Sequence, residues 1–153
     1  MNNISTFVNP IICQVSLCYK PVTGGQEVYV KQLSELIGKY RSNLVIQSYP
    51  RGISDINSLK NEEEVIFLRI PRGLHRINNI LPYLFFRNSS KRVLNQLPKE
   101  KIIILHYASL FLKKFHDAKK TIIISHGKDW NESLVGKYRF NKLLQAYREG
   151  CKV

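Results

Sequence analysis

Acidic residues are scarce in this chain: 11 Asp and Glu stand against 24 Lys and Arg, which gives a formal net charge of +13 and a pI near 9.8. Such a surface seeks anions, whether nucleic acid, lipid head groups, phosphorylated substrates or an acidic partner. Cysteine is also sparse. Cys13, Cys18 and Cys151 are odd in number and share no metal-ligand spacing, so they make neither a disulfide framework nor a zinc motif and read as free thiols of a reducing compartment. No run approaches the roughly 20 apolar residues of a membrane span. The opening segment Met1 to Thr6 has no basic stretch leading into an apolar core, so no secretory signal is expected. Glycine-aromatic strand signatures and KH-type glycine loops are missing too, which argues against an RNA-binding module. Ser133 and Cys151 lie in no recognisable nucleophile motif. Acidic chemistry is poorly represented: Glu62-Glu63-Glu64 falls in a polar stretch and reads as solvated surface rather than as a catalytic acid.

What is present is a folded α/β pattern. A hydrophobic fraction of 44% over 153 residues suffices for one domain with a core that needs no disulfide or metal. Short apolar runs predict strands at residues 11–17, 43–48, 65–70, 102–105 and 121–125, the third stopped by Pro71. Between them, helical spacing joins Val30, Leu33, Leu36, Ile37 and Tyr40. A second helix is expected from about Leu81 to Gln96, with Pro82 in its first turn and Pro98 beyond its end. Leu81, Leu84 and Phe85 are assigned to its sheet-facing side, and Tyr83 and Phe86 to the other. A third is expected from Ala108 to His116, with Leu110, Phe111 and Phe115 toward the core. A last helix through Phe140, Leu143, Leu144 and Tyr147 is closed by Gly150. The chain stops where another strand would begin. Strand-helix alternation predicts a Rossmann-like, doubly wound, mostly parallel sheet with helices on both faces, in a single domain spanning residues 1–153.

The chain is organised around Pro21-Val22-Thr23-Gly24-Gly25-Gln26-Glu27, between the first strand and the first helix. Gly24 and Gly25 can adopt positive φ and let a ligand approach the backbone, while the following helix aims free N–H groups at the same space. A short strand-to-helix turn needs such glycines for purely structural reasons as well. The last two strands end in histidine, in Ile102-Ile103-Ile104-Leu105-His106-Tyr107 and in Thr121-Ile122-Ile123-Ile124-Ser125-His126-Gly127. A histidine in this position serves equally as a structural hydrogen-bonding group or as a proton donor and acceptor.

Taken together, the Pro-x-x-Gly-Gly-x-Glu loop and the strand ending in His126-Gly127 resemble the family 4 glycosyltransferases of the two-domain GT-B architecture, and the strand before His106 looks like its predecessor in that family. The resemblance covers nearly the whole chain as the N-terminal, acceptor-side half of such an enzyme. It implies a retaining, metal-independent transferase that takes a nucleotide-sugar donor as substrate, without a cofactor, and acts on a glycan or lipid-linked acceptor. Gly24 and Gly25 would approach the donor pyrophosphate and His126 would line the reaction centre. His106, Gly127, Asp129 and Trp130 are acceptor-side candidates, although Asp129 also suits a helix cap and Trp130 simple packing. Topology leads to the expectation that Gly24, Gly25, His106 and His126 open onto one crevice at the carboxyl ends of the strands. In this family a second Rossmann-like domain, with a pair of glutamates, supplies most donor contacts. That domain would come from a C-terminal portion or a partner subunit.

A second reading is a basic α/β module without enzymatic activity that docks on an anionic membrane or on nucleic acid. Arg87, Lys91 and Arg92, beside the aromatics of the second helix and downstream of Arg69, Arg72, His75 and Arg76, are its candidate membrane-surface residues. A core helix with a basic solvent face accounts for the same pattern. Either way the expected location is the cytoplasm, with peripheral attachment to the inner face of the membrane in the second case.

Overall fold

β-branched and leucine-rich runs form five strands, as their composition requires: β1 (Ile11–Ser16), β2 (Asn43–Ser48), β3 (Val65–Leu68), β4 (Lys101–Leu105) and β5 (Thr121–Ile123). The computed structural model describes residues 11–17, 24–48, 65–71, 81–113, 116–126 and 134–153. The strands form a five-stranded sheet in the order β3-β2-β1-β4-β5, with parallel ladders between β1 and β2, β2 and β3, and β4 and β5. This is the α/β, Rossmann-like arrangement that the alternating pattern predicts. Among the described residues the α-helices are α1 (Gly25–Gly38), α2 (Leu81–Gln96) and α3 (Leu134–Arg148). Among the described residues no helix is long and apolar enough to cross a membrane. The chain divides into two compact units, residues 1–101 and 102–153.

In the first unit the core gathers Val30 of α1 with Val45 and Val65 of the sheet, and Phe67 packs on this cluster. β3 ends two residues earlier than its apolar run, because its last ladder partner is Ser48, the final residue of β2. Helix phase departs from the apolar count in two places. In α1 the buried positions are Val30, Ser34 and Ile37, whereas Leu36 and Tyr40 are exposed. Ser34 can sit inside because it accepts a hydrogen bond of 2.8 Å from Nε2 of buried Gln14. In α2 the buried ridge is Pro82, Phe86, Ser90 and Leu94, an unbroken i, i+4 row. Phe86 is therefore fully buried and Phe85 is 37% exposed, the reverse of the assignment from sequence. Ser90 makes this phase possible, since its hydroxyl donates to the Arg87 carbonyl one turn back and brings no unsatisfied group into the core.

In the second unit the expected helix over 108–116 is replaced by a single 3-10 turn, Ala108–Leu110, followed by extended Phe111. Tyr107, Ala108, Leu110 and Phe111 are all buried. One face of an α-helix cannot bury four of five consecutive residues, so the segment turns instead. His116 closes it by accepting from Leu112 N–H through Nδ1 while its own N–H donates to the Leu112 carbonyl. In α3, Leu143 and Ala146 are buried but Tyr147 is exposed, again one step from the apolar count. The helix ends in a Schellman motif: Gly150 has φ +94°, its N–H bonds to the Tyr147 carbonyl, and Cys151 N–H bonds to the Ala146 carbonyl. Lys152 then forms a parallel bridge to Ile122 and exchanges hydrogen bonds with Ile123 and Thr121. A further strand position thus opens beside β5. The polar stretch 54–64, Cys18 and Phe115 lie outside the described residues.

Candidate functional site

The carboxyl ends of β4 and β5 carry the main chemical feature of the second unit. β4 finishes at Leu105, which places His106 immediately past its end, and β5 leads through Ile124 and Ser125 to His126. The ladder between these strands aligns Leu105 with Ile123, and Ile124 N–H still donates to the Leu105 carbonyl. That register carries the two imidazoles to one place. Nδ1 of His106 lies 3.2 Å from Nε2 of His126, and the rings stack with centroids 5.4 Å apart and an interplanar angle of 18°.

The two rings have different surroundings. His106 is fully buried, and burial, reinforced by the neighbouring charge of His126, lowers its pKa from 6.5 to about 3. It is a neutral imidazole at physiological pH. His126 is only half-buried and so remains the member of the pair with access to a ligand. Tyr107 tilts against it with centroids 6.1 Å apart, and the Arg139 guanidinium from α3 lies 5.8 Å above the Tyr107 ring. The site therefore combines one neutral imidazole, one accessible imidazole, a phenol and a fixed cation.

The glycine junction belongs to the first unit. Gly24 is the N-cap of α1 in an extended conformation, with φ −147° and ψ 179°, and it makes no side-chain cap. Among the described glycines only Gly150 has positive φ, so neither Gly24 nor Gly25 uses the left-handed region anticipated from sequence. At Gly24 the constraint is steric. A Cβ on Gly24 would come within 2.8 Å of the Glu27 carboxylate, which folds back over the helix start. A Cβ on Gly25 would meet nothing within 4 Å. Among the described residues no neighbouring atom demands glycine at position 25, and none fills the space beside it. An anion entering here meets the helix N-terminus but also the Glu27 carboxylate, which already occupies its favourable field.

Sequence reading missed a polar cluster beside this junction. Ser16, the last residue of β1, is fully buried and accepts a hydrogen bond of 3.3 Å from Gln26 in the first turn of α1. Gln47 is aligned with Ser16 across the β1-β2 ladder and is also fully buried. The available signal was the interruption of two apolar strands by Gln14, Ser16 and Gln47, since polar side chains are retained inside a sheet only where partners meet them.

Of the remaining candidates, Gly127, Asp129 and Trp130 lie outside the described residues. Arg92 is exposed on α2, whereas Arg87 and Lys91 are half-buried, so the three do not form one uniformly exposed patch. Among the described residues no group of three or more His, Cys, Asp or Glu side chains is placed to hold a metal ion. Cys13 and Cys151 are buried free thiols, with pKa values raised to about 12 and about 11, chiefly by burial. They make poor nucleophiles. No family model matches the chain, and no curated protein matches it.

Proposed function

We propose that this chain is the acceptor-side domain of a retaining glycosyltransferase that uses a nucleotide-activated sugar, in glycan, polysaccharide or glycolipid synthesis. The observation that carries the reading is the half-buried His126 past β5, held at 3.2 Å by the buried, neutral His106 past β4. Ligands of parallel α/β sheets bind outside the carboxyl ends of the strands, and an imidazole there can donate to a sugar hydroxyl or to charge developing on a leaving phosphate. Open space at Gly25 and the polar residues Ser16, Gln26 and Gln47 support a ligand on the first unit as well. In this reading a second α/β domain, on the same polypeptide or on a partner, supplies most donor contacts. Turnover then requires both, because reacting groups must be positioned from two sides.

The test is titration of the isotopically labelled chain with UDP-glucose and with GDP-mannose at millimolar concentration, followed by amide and imidazole resonances. Weak binding that shifts Gly25, Gln26 and the His126 ring is the expected result. Absence of any response to either nucleotide sugar at these groups would count against a donor site on this domain.

A second reading rests on Phe85, 37% exposed, and exposed Arg92, which lie seven residues apart and so on the same side of α2. Aromatic rings and cations on one helix suit the interface of an anionic bilayer. This non-enzymatic docking role competes with the transferase reading and is separable from it by experiment.

A further inference from the structure

The outer side of α1 shows an ordered row of apolar side chains. Tyr29 is 41% exposed, Leu36 54% and Tyr40 74%, with half-buried Leu33 among them. Successive members of this row stand four, three and four residues apart, the alternation of d and a positions in a heptad, so they form one seam along the helix. Helical geometry persists past Gly38. Lys39 keeps right-handed dihedrals (φ −67°, ψ −23°) and the Arg41 N–H bonds to the Ile37 carbonyl, which holds Tyr40 in phase. We propose that this seam is a docking surface for a short amphipathic helix of a partner protein, with acidic residues flanking its apolar stripe.

Only one flank of the seam is open. The e positions, Val30 and Ile37, are buried, so an incoming helix meets the seam and its g side, where Gln32 and Lys39 are exposed. Charge at g positions selects the partner of a heptad seam. Glu35, further round the helix, is already paired with Lys31 at 3.7 Å, which leaves Lys39 to set the preference. An acidic residue opposite Lys39 fits, and the net charge of +13 draws an acidic segment while it repels a second copy of the chain. Area also disfavours a second copy. Side chains of this size and exposure offer roughly 400 Å², about half of the ~800 Å² per partner that a stable interface between folded domains buries. A lipid surface fits less well, because Glu27 and Glu35 balance Lys31 and Lys39 along α1, whereas helices that lie on anionic bilayers carry a polar face rich in Lys and Arg.

The experiment uses the full 153-residue chain and two synthetic helical peptides of about three heptads, both with leucine at a and d. One carries glutamate at e and g and the other lysine, and like charge at these positions keeps each peptide from pairing with itself. Fluorescence anisotropy at physiological salt is expected to show micromolar binding of the glutamate peptide and at least about tenfold weaker binding of the lysine peptide. Leu36→Ser combined with Tyr40→Ser should lower affinity for the glutamate peptide by about tenfold or more. Lys39→Glu should weaken the glutamate peptide and strengthen the lysine peptide. All three positions are exposed, so the variants keep the wild-type fold, which their urea midpoints verify. Four results would overturn the proposal. The glutamate peptide might not bind, or its binding might ignore the Leu36 and Tyr40 replacements, which assigns the attraction to diffuse charge. Self-association that depends on Leu36, read by sedimentation equilibrium, would put a second copy on this face, and Leu36-dependent binding to phosphatidylcholine vesicles would put lipid there.

Discussion

His106 links the candidate site to stability through a single ring. Its pKa is lowered from 6.5 to about 3 in the folded chain, first by burial and then by His126. Between those values the unfolded chain binds a proton that the folded chain does not, so stability rises with pH and falls as the solution is acidified through 6.5. Above 6.5 both states are neutral and His106 contributes no pH dependence. The expected slope is about 1.4 kcal/mol per pH unit below pH 6, flattening near pH 3. Urea unfolding at a series of pH values measures it. His106→Asn should remove this part of the slope, and a variant that keeps the full acid sensitivity would show that the effect originates elsewhere. Cys13, equally buried in β1, shows that burial alone does not define a site. Its thiol is shifted as strongly, yet it is paired with no reactive partner among the described residues.

At the scale of elements, helix phase and helix ends are the testable features. Phe86 fills the core while Phe85, one residue earlier, is 37% exposed. Phe86→Ala should cost about 3–5 kcal/mol and Phe85→Ala less than about 0.5 kcal/mol, which equilibrium urea denaturation will distinguish. Equal costs would mean that the phase of α2 is wrong. The start of α1 separates stability from binding in a comparable way. Gly25 lies inside the helix, and a methyl group added there would have no neighbouring atom within 4 Å, so Gly25→Ala should stabilise the chain by up to about 1 kcal/mol. Gly24→Ala should destabilise it by roughly 0.5–1 kcal/mol, because alanine is a poor N-cap and its Cβ would displace Glu27. If a nucleotide sugar uses the open space, both variants should weaken its binding. A Gly25→Ala variant that is stabilised and binds unchanged would place the ligand elsewhere. These phases were hard to read because Ser34 and Ser90 occupy buried positions that an apolar count passes over, while Leu36 and Tyr147 supply exposed residues that it accepts.

For the whole molecule, strand existence and the parallel α/β arrangement were legible, since alternating strand and helix runs with short connections admit few arrangements. Much less of the site could be read. The strand-end positions of His106 and His126 followed from Leu105 and Ile123, but their mutual contact depends on register and on a missing helix between them. The buried polar groups Ser16 and Gln47 depend likewise on pairing between strands distant in sequence. Net charge was legible from composition alone, and at +13 it tests the membrane reading directly. Each Lys or Arg near an anionic bilayer adds about 1 kcal/mol of attraction, which falls off within a Debye length. Replacing Arg87, Lys91 and Arg92 together by glutamine should therefore lower affinity for phosphatidylserine vesicles by about tenfold or more. Arg92→Gln alone should account for the largest share, as Arg92 is the exposed one of the three. Phe85→Ala should weaken binding further without altering its salt dependence, because an inserted ring contributes through apolar area rather than charge. Sedimentation with vesicles at low and at physiological salt measures both effects, with neutral phosphatidylcholine vesicles as the control. Binding that falls with salt but ignores all four substitutions would assign the attraction to the diffuse positive charge of the chain and remove α2 as a docking face. Loss of vesicle binding with nucleotide-sugar shifts intact would show that the two surfaces act independently, as a peripheral transferase requires.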